Sequence, residues 1–336
     1  SFPTAQLFRK HLAGLYGTDL YSHAYRRGQS HLVDVSFTYV RDEFLSKKNV
    51  LTSQILDLLS QILFSPLTDD EGFEKNTFEI EKKQVLARLE SEFEDPFFFA
   101  HKELDHLYFE DPSMQLVPED LITRISEESP NTCFTSFQKM LKEDRIDIFF
   151  LGDFNEIEIL EYIKQTPFTD RQRTVNIQYQ QPYSNVIKEN LVRKSLGQSI
   201  IEMAYHCSVG YGDEQQMAMI VVNGLLGAFP HSKMFTVIRE KEALAYTISS
   251  HIDFFSGCLR LYAGIDRNNR NRVRKLMNQQ LQDIKNGKFT DLEIDQTKKM
   301  IKRSLMLAQD NQDSTLDRTY LRHYFGKIAL DIPTML

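Results

Sequence analysis

Nine histidines and three cysteines are the side chains of this 336-residue chain best suited to holding a metal, and their spacing decides whether they can. In His101-Lys102-Glu103-Leu104-Asp105-His106, two imidazoles bracket two acids. Five residues on a helix leave a net rotation of about 140°, whereas a zinc pair on a helix needs i, i+4. The segment therefore reads as a solvated helix face. His23 and His31 are placed differently. If a hairpin turn centres on Arg27, the two lie opposite each other across neighbouring strands. No third ligand accompanies them, so cross-strand packing is the expected role. Cys133, Cys207 and Cys258 share no zinc-ribbon or redox spacing. They read as reduced, packed thiols of a cytoplasmic protein.

The densest chemistry lies between Gly224 and Ser250, GLLGAFPHSKMFTVIREKEALAYTISS. A glycine-bearing turn leads into an amphipathic helix, and the helix feeds a strand. Arg239 and Tyr246 flank that junction. A guanidinium offers five donors in a fixed fork and a phenol adds a hydroxyl, so together they could hold a peptide carbonyl or a carboxylate. Residue type alone equally allows Arg239 to pair with a nearby acid such as Glu242 and Tyr246 to pack in the core.

Composition excludes several functions. Forty Lys and Arg against 47 Asp and Glu give a net charge of −7, the wrong sign for phosphate-backbone binding, so no nucleic-acid partner is expected. The longest apolar run, Met217 to Val222, is too short to span a bilayer, so no membrane insertion is expected. No G-x-G-x-x-G follows a strand, and no Walker motif or G-x-S-x-G elbow is present. No signal peptide is legible at Ser1, and both ends, Ser1 and Leu336, are read as open.

Periodicity supplies the elements that must position these residues. In the first block it predicts helices over 4–15, 50–64, 69–93, 97–109 and 125–142, strands over 20–25 and 31–40, and a short buried strand over 147–151. Residues 166–185, with Pro167 and Pro182, read as a linker. In the second block strands are expected over 199–207, 246–253 and 258–265. Helices are expected there over 214–226, 233–241, 270–286 and 291–311. Length favours two domains, set at 1–165, without its first strands, and 186–336, truncated at its C-terminus. RKHLAGLY at Arg9–Tyr16 lines up with REKEALAY at Arg239–Tyr246, and both blocks run helix, strand, strand, helix, helix. A tandem duplication explains this. The fold class is α+β: two tandem homologous domains, each an antiparallel sheet with helices on one side.

Gly227, Ser232, Met234, Phe235, Ile238, Arg239, Glu240, Lys241, Leu244 and Tyr246, followed by Gly257 and Leu261-Tyr262-Ala263-Gly264, resemble the second-domain pattern of the M16 zinc peptidases. That family includes pitrilysin-like and processing-peptidase-like proteins. The resemblance covers nearly the whole chain, because the family is itself built by duplication, and it implies the same α+β fold. It implies that Arg239 and Tyr246 bind the backbone of an extended peptide held by edge-strand pairing. It also implies a zinc motif, H-x-x-E-H, and here the chain departs. No H-x-x-E-H occurs in residues 1–336, and the family's further glutamate ligand falls where Ala87 and Arg88 stand. Neither can ligate zinc.

The chain looks closest to the bacterial YmfF-like branch, whose members lack the motif. The expected function is that of a non-catalytic M16 homologue. It would bind extended peptides and support a zinc-bearing H-x-x-E-H partner, as a heterodimer or a homodimer, in the cytoplasm. No cofactor or metal is expected on this chain, zinc belonging to the partner. Two alternatives stay open. One is an active peptidase whose motif lies upstream of residue 1. The other is a purely structural subunit that touches no peptide.

Overall fold

The computed structural model describes residues 2–45, 50–115, 118–168, 171, 173–194 and 197–326. In chain order its elements are α1 (Ala5–Gly14), β1 (Asp19–Arg27), β2 (Ser30–Thr38), α2 (Leu51–Phe64), β3 (Thr68–Asp69), β4 (Gly72–Phe73), α3 (Lys75–Glu94), α4 (Pro96–Tyr108), α5 (Pro118–Glu127), α6 (Pro130–Glu143), α7 (Glu156–Gln165), β5 (Ser199–His206), α8 (Gln216–Asn223), β6 (Ala245–Asp253), β7 (Cys258–Ile265), α9 (Arg270–Lys285), α10 (Asp291–Gln309) and α11 (Gln312–Phe325). Two stretches, Gly224–Ala228 and Phe235–Lys241, coil as π-helix. The chain is α+β.

It divides into two compact units. Unit 1 holds Ser1–Arg26, His31–Leu89 and Leu121–Val175; unit 2 holds Arg27–Ser30, Glu90–Asp120 and Asn176–Leu336. The units therefore interleave along the chain instead of dividing it at 165 and 186, because residues 90–120, which carry α4, group with the second block.

In unit 1, Thr4 caps α1 by accepting the Leu7 N–H at 3.2 Å. Leu15 then joins Leu51, Ile55 and Leu58 of α2 in a small core. Asp42 serves as a distant cap for α2, its carboxylate accepting from the Leu51 N–H at 2.9 Å. Three expectations change here. The helix expected from residue 69 begins at Lys75. Gly72, at φ 131°, turns the chain between β3 and β4 first, and Asp69 accepts from the Lys75 N–H at 3.0 Å. The helix expected over 125–142 is two helices, because Ser129 and Thr132 form a capping box and Pro130 starts α6. Residues 147–151 form no strand. No neighbouring strand pairs with them among the described residues, and Ile148 and Leu151 are exposed.

Unit 2 is built on a three-stranded antiparallel sheet ordered β5-β7-β6. Successive residues of the central β7 face opposite sides, and nearly all are buried. Leu259, Leu261, Ala263 and Ile265 face the main core with Val273 and Met277 of α9, with Leu226 and Ile238 of the π-helical stretches, and with Met234, which caps the second of them. On the other face lie Arg260, Tyr262 and Gly264, and there α4 packs. The Phe97 ring sits 6.0 Å from that of Tyr262, and the Tyr108 hydroxyl donates to the Gly257 carbonyl at 3.2 Å. The order helix, strand, strand, helix occurs twice, as α1-β1-β2-α2 and as the second π-helical stretch with β6-β7-α9; the next helix follows directly as α10 in the second series, whereas the β3-β4 hairpin separates α2 from α3 in the first. Among the described residues the two non-glycine positions with positive φ, Tyr16 and Ala243, each precede the first strand of one of these series.

Candidate functional site

Arg239 and Tyr246 are both exposed, at the entry to β6. Arg239 sits in the second π-helical stretch with its guanidinium carbon 4.6 Å from the centre of the Phe235 ring, a stacking contact that orders the side chain while leaving its donors in water. Glu242 does not hold it, because Glu242 pairs with Arg272 of α9. The chain leaves the π-helical stretch through Ala243 at φ 52°, and the Leu244 N–H donates back to the Ile238 carbonyl at 3.0 Å. β6 begins at the next residue, Ala245.

Tyr246 does not pack in the core; it is 65% exposed. The reason is a bulge. Ala245 pairs with Ile265 and Thr247 with Gly264, so Tyr246 is the extra residue of β6. A bulge re-aims a side chain and strengthens local twist, and here it puts the phenol at the mouth of an edge strand. β6 has a neighbour on one side only among the described residues, so half of its N–H and C=O groups face away from the sheet, a template for another strand. Gly227 lies close against the middle of β6: a Cβ there would lie 2.7 Å from the Ser250 backbone nitrogen.

Ala87 and Arg88 are exposed on α3, in unit 1. A methyl and a guanidinium are no ligand set for a dication, and among the described residues no three His, Cys, Asp or Glu side chains cluster so as to hold a metal. These residues do not fit a zinc centre. His23 does not meet His31 as expected. β1 ends at Arg27 and β2 starts at Ser30, so the turn is Gly28-Gln29 and its centre is not Arg27. His23 instead stacks between Tyr21 and Tyr25, with ring centres 5.9 and 5.5 Å away.

The segment 101–106 is not the solvated face its charges suggest. Asp105 is buried and forms an ion pair with the buried Arg260 of β7. The His101 Nδ1 lies 3.6 Å from Glu202 Oε2 and 3.5 Å from an Arg260 amino nitrogen. His251 of β6 is paired in register with Arg260. Surrounding atoms desolvate its imidazole, and Arg260 and His101 repel a proton, so it is held below the usual range although Asp253 pulls the other way. Burial pushes the Cys258 thiol up to about 12, and burial likewise raises the Tyr108 phenol. Sequence reasoning missed this cluster. The signal was the spacing Phe97, His101, Asp105, Tyr108, one helix face.

The family of the Peptidase M16 inactive domain matches residues 135–301, which include β5, both π-helical stretches, β6 and β7. The chain is 25% identical over 312 residues to the probable inactive metalloprotease YmfF of Bacillus subtilis, covering 92% of this chain and 73% of that protein. A solved conserved protein from Enterococcus faecalis superposes with a TM-score of 0.92 at 36% identity, covering 99% of this chain and 82% of that one. The chain belongs to the M16 peptidase family. The peptidase M16 inactive domain from Pseudomonas fluorescens shares the fold, with a TM-score of 0.65 at 15% identity over 98% of this chain and 79% of that one. Both the matched family model and the curated relative are described as inactive, and the chain is an inactive homologue in that sense. No helix of the described residues is long and apolar enough to cross a membrane.

Proposed function

We propose that this chain is a non-catalytic M16 subunit that binds an extended peptide along β6 and presents it to a zinc-bearing M16 partner in the cytoplasm. The observation that carries the reading is Tyr246, displaced by a bulge at the open end of an edge strand, with Arg239 exposed on the π-helical stretch that leads into that strand. Main-chain pairing to the free edge gives affinity without demanding one sequence. The Tyr246 hydroxyl and the Arg239 fork add donors for a peptide carbonyl where the ladder begins. Hydrolysis is left to the partner, because the described residues offer no ligand set for zinc.

The test is binding of a fluorescein-labelled, uncharged, proline-free peptide to the purified chain, read by anisotropy. Arg239→Ala and Tyr246→Ala are each expected to weaken binding by about tenfold, or ~1.4 kcal/mol, with the melting temperature unchanged. A proline-rich peptide of equal length, unable to donate to the strand edge, is expected to bind poorly. If cleavage by an H-x-x-E-H-bearing M16 chain is stimulated equally by the wild type and both variants, the peptide-binding reading fails and a scaffold role replaces it.

A further inference from the structure

Two separate segments that adjoin the start of β6, one along the chain and one through the ladder, carry exposed cations. Arg239 and Lys241 close the second π-helical stretch. The pairing of Ala245 with Ile265 brings the start of β6 beside the end of β7. From Ile265 the chain passes through Asp266 into Arg267 and on to Arg270, the first residue of α9. The Glu242–Arg272 ion pair ties the two parts together. Arg239, Lys241, Arg267 and Arg270 are all exposed. The acids nearby offset them only in part: Glu242 is engaged by Arg272, which leaves Asp266 and Glu240 against the four cations.

Two considerations set this cluster apart from an ordinary solvated surface. First, the chain as a whole is acidic, and its charge is unevenly spread. Residues 1–165 carry 17 Lys and Arg against 30 Asp and Glu, whereas residues 166–336 carry 23 against 17. Second, the first turn of α9 contains no acid and opens with Arg270. Stability favours acids at a helix N-terminus and disfavours cations there, so the arrangement opposes the helix it sits on.

We propose that this end of the β6 edge selects an acidic stretch in the bound peptide: the substrate class is an extended peptide carrying Asp or Glu residues next to the segment that pairs with β6. The inference rests on the peptide-binding reading above and adds its selectivity. Arg267 and Arg270 act on the flanking carboxylates, and Tyr246 and Arg239 act on the backbone. Because the cations are exposed, the attraction is screened by salt and contributes to selectivity and association rate more than to a fixed contact.

The experiment uses three fluorescein-labelled peptides that share one uncharged core and differ in a flanking run of aspartate, serine or lysine. Anisotropy titrations are made at about 50 mM and about 500 mM salt, where the screening length falls several-fold. The expected order is aspartate, serine, lysine, with aspartate about tenfold tighter than serine at low salt and about twofold at high salt. Arg267→Glu with Arg270→Glu is expected to reverse the order while leaving the serine peptide within about twofold. The milder Arg267→Gln with Arg270→Gln abolishes the preference, and unchanged melting temperatures show that both variants are folded. If the serine peptide binds through Tyr246 but the aspartate preference is absent or survives charge reversal, the inference falls and the peptide-binding reading stands. If no peptide depends on Tyr246 or Arg239, both fall. A single-stranded oligonucleotide of matching charge that binds as tightly as the aspartate peptide overturns the proposal in favour of a polyanion site.

Discussion

The Asp105 carboxylate on α4 and the Arg260 guanidinium on β7 form an ion pair in which both side chains are at least nine-tenths withdrawn from solvent. They stand 155 residues apart in the chain. Lys102 approaches the same carboxylate at 3.7 Å. Removing one partner strands the other charge under the helix. Asp105→Ala or Arg260→Met alone is therefore expected to cost about 3–5 kcal/mol in denaturant unfolding. Asp105→Leu combined with Arg260→Met is expected to recover most of that loss, since a well-packed apolar pair avoids the desolvation of both ions. A double variant no better than the singles would mean that the pair is not what fastens α4 to the sheet.

His251 makes the stability of unit 2 pH-dependent, and the sign follows from the direction of its shift. The folded protein holds the imidazole below its unfolded value of about 6.5. Between those two values the unfolded chain binds more protons, so stability is fully present above pH ~6.5 and falls as pH drops through the folded value. Desolvation, Arg260 and His101 all oppose the proton, and Asp253 alone favours it. The melting temperature of the wild type is expected to fall between pH 7 and pH 5 by more than that of His251→Gln. Parallel curves for the two proteins would show that His251 is not the responsible group.

Much of unit 2 was legible in the sequence. The strand expected at 258–265 is β7 to the residue, and β6 begins one residue earlier than expected, because alternation and the glycine turn at Gly257 are local signals. What was not legible is non-local or geometric. The face Phe97, His101, Asp105, Tyr108 is helical, but three of its four members are titratable, so hydropathy marks it as solvent. Only Arg260, far along the chain, gives Asp105 a reason to be buried. The bulge at Tyr246 is likewise invisible, since β6 reads as regular alternation whether or not the ladder skips a residue. The strand expected at 147–151 failed for the opposite reason. Its apolar residues are real, but a strand needs a neighbour, and sequence does not supply one.

The three cysteines are free, and two of them should be inert in the folded state. Cys258 is fully buried and its thiol is pushed up to about 12. Burial also raises that of Cys207, against the Val209 carbonyl that accepts from it at 3.8 Å. The thiolate is the reactive form, so at pH 8 a disulfide reagent is expected to label Cys133 at most, and slowly, since desolvation and Glu128 raise that thiol too. All three should react once denaturant unfolds the chain. Rapid labelling of Cys258 at native pH would mean that the α4-covered face opens readily.

Ala87 and Arg88 give the last expectation, which concerns zinc. Both are exposed on α3, so Ala87→Glu and Arg88→Glu change charge without disturbing a core, and each should fold as the wild type does. A single carboxylate cannot hold zinc, because structural and catalytic sites alike need at least three protein ligands. The described residues contain no cluster of that size to complete it. Metal analysis after dialysis is therefore expected to find no stoichiometric zinc in the 336-residue chain or in either variant. Stoichiometric zinc in the wild type, lost on mutation of histidine or cysteine, would overturn the assignment of this chain as the non-catalytic member. Zinc gained in Ala87→Glu alone would reveal a ligand pair near α3 needing only a third donor.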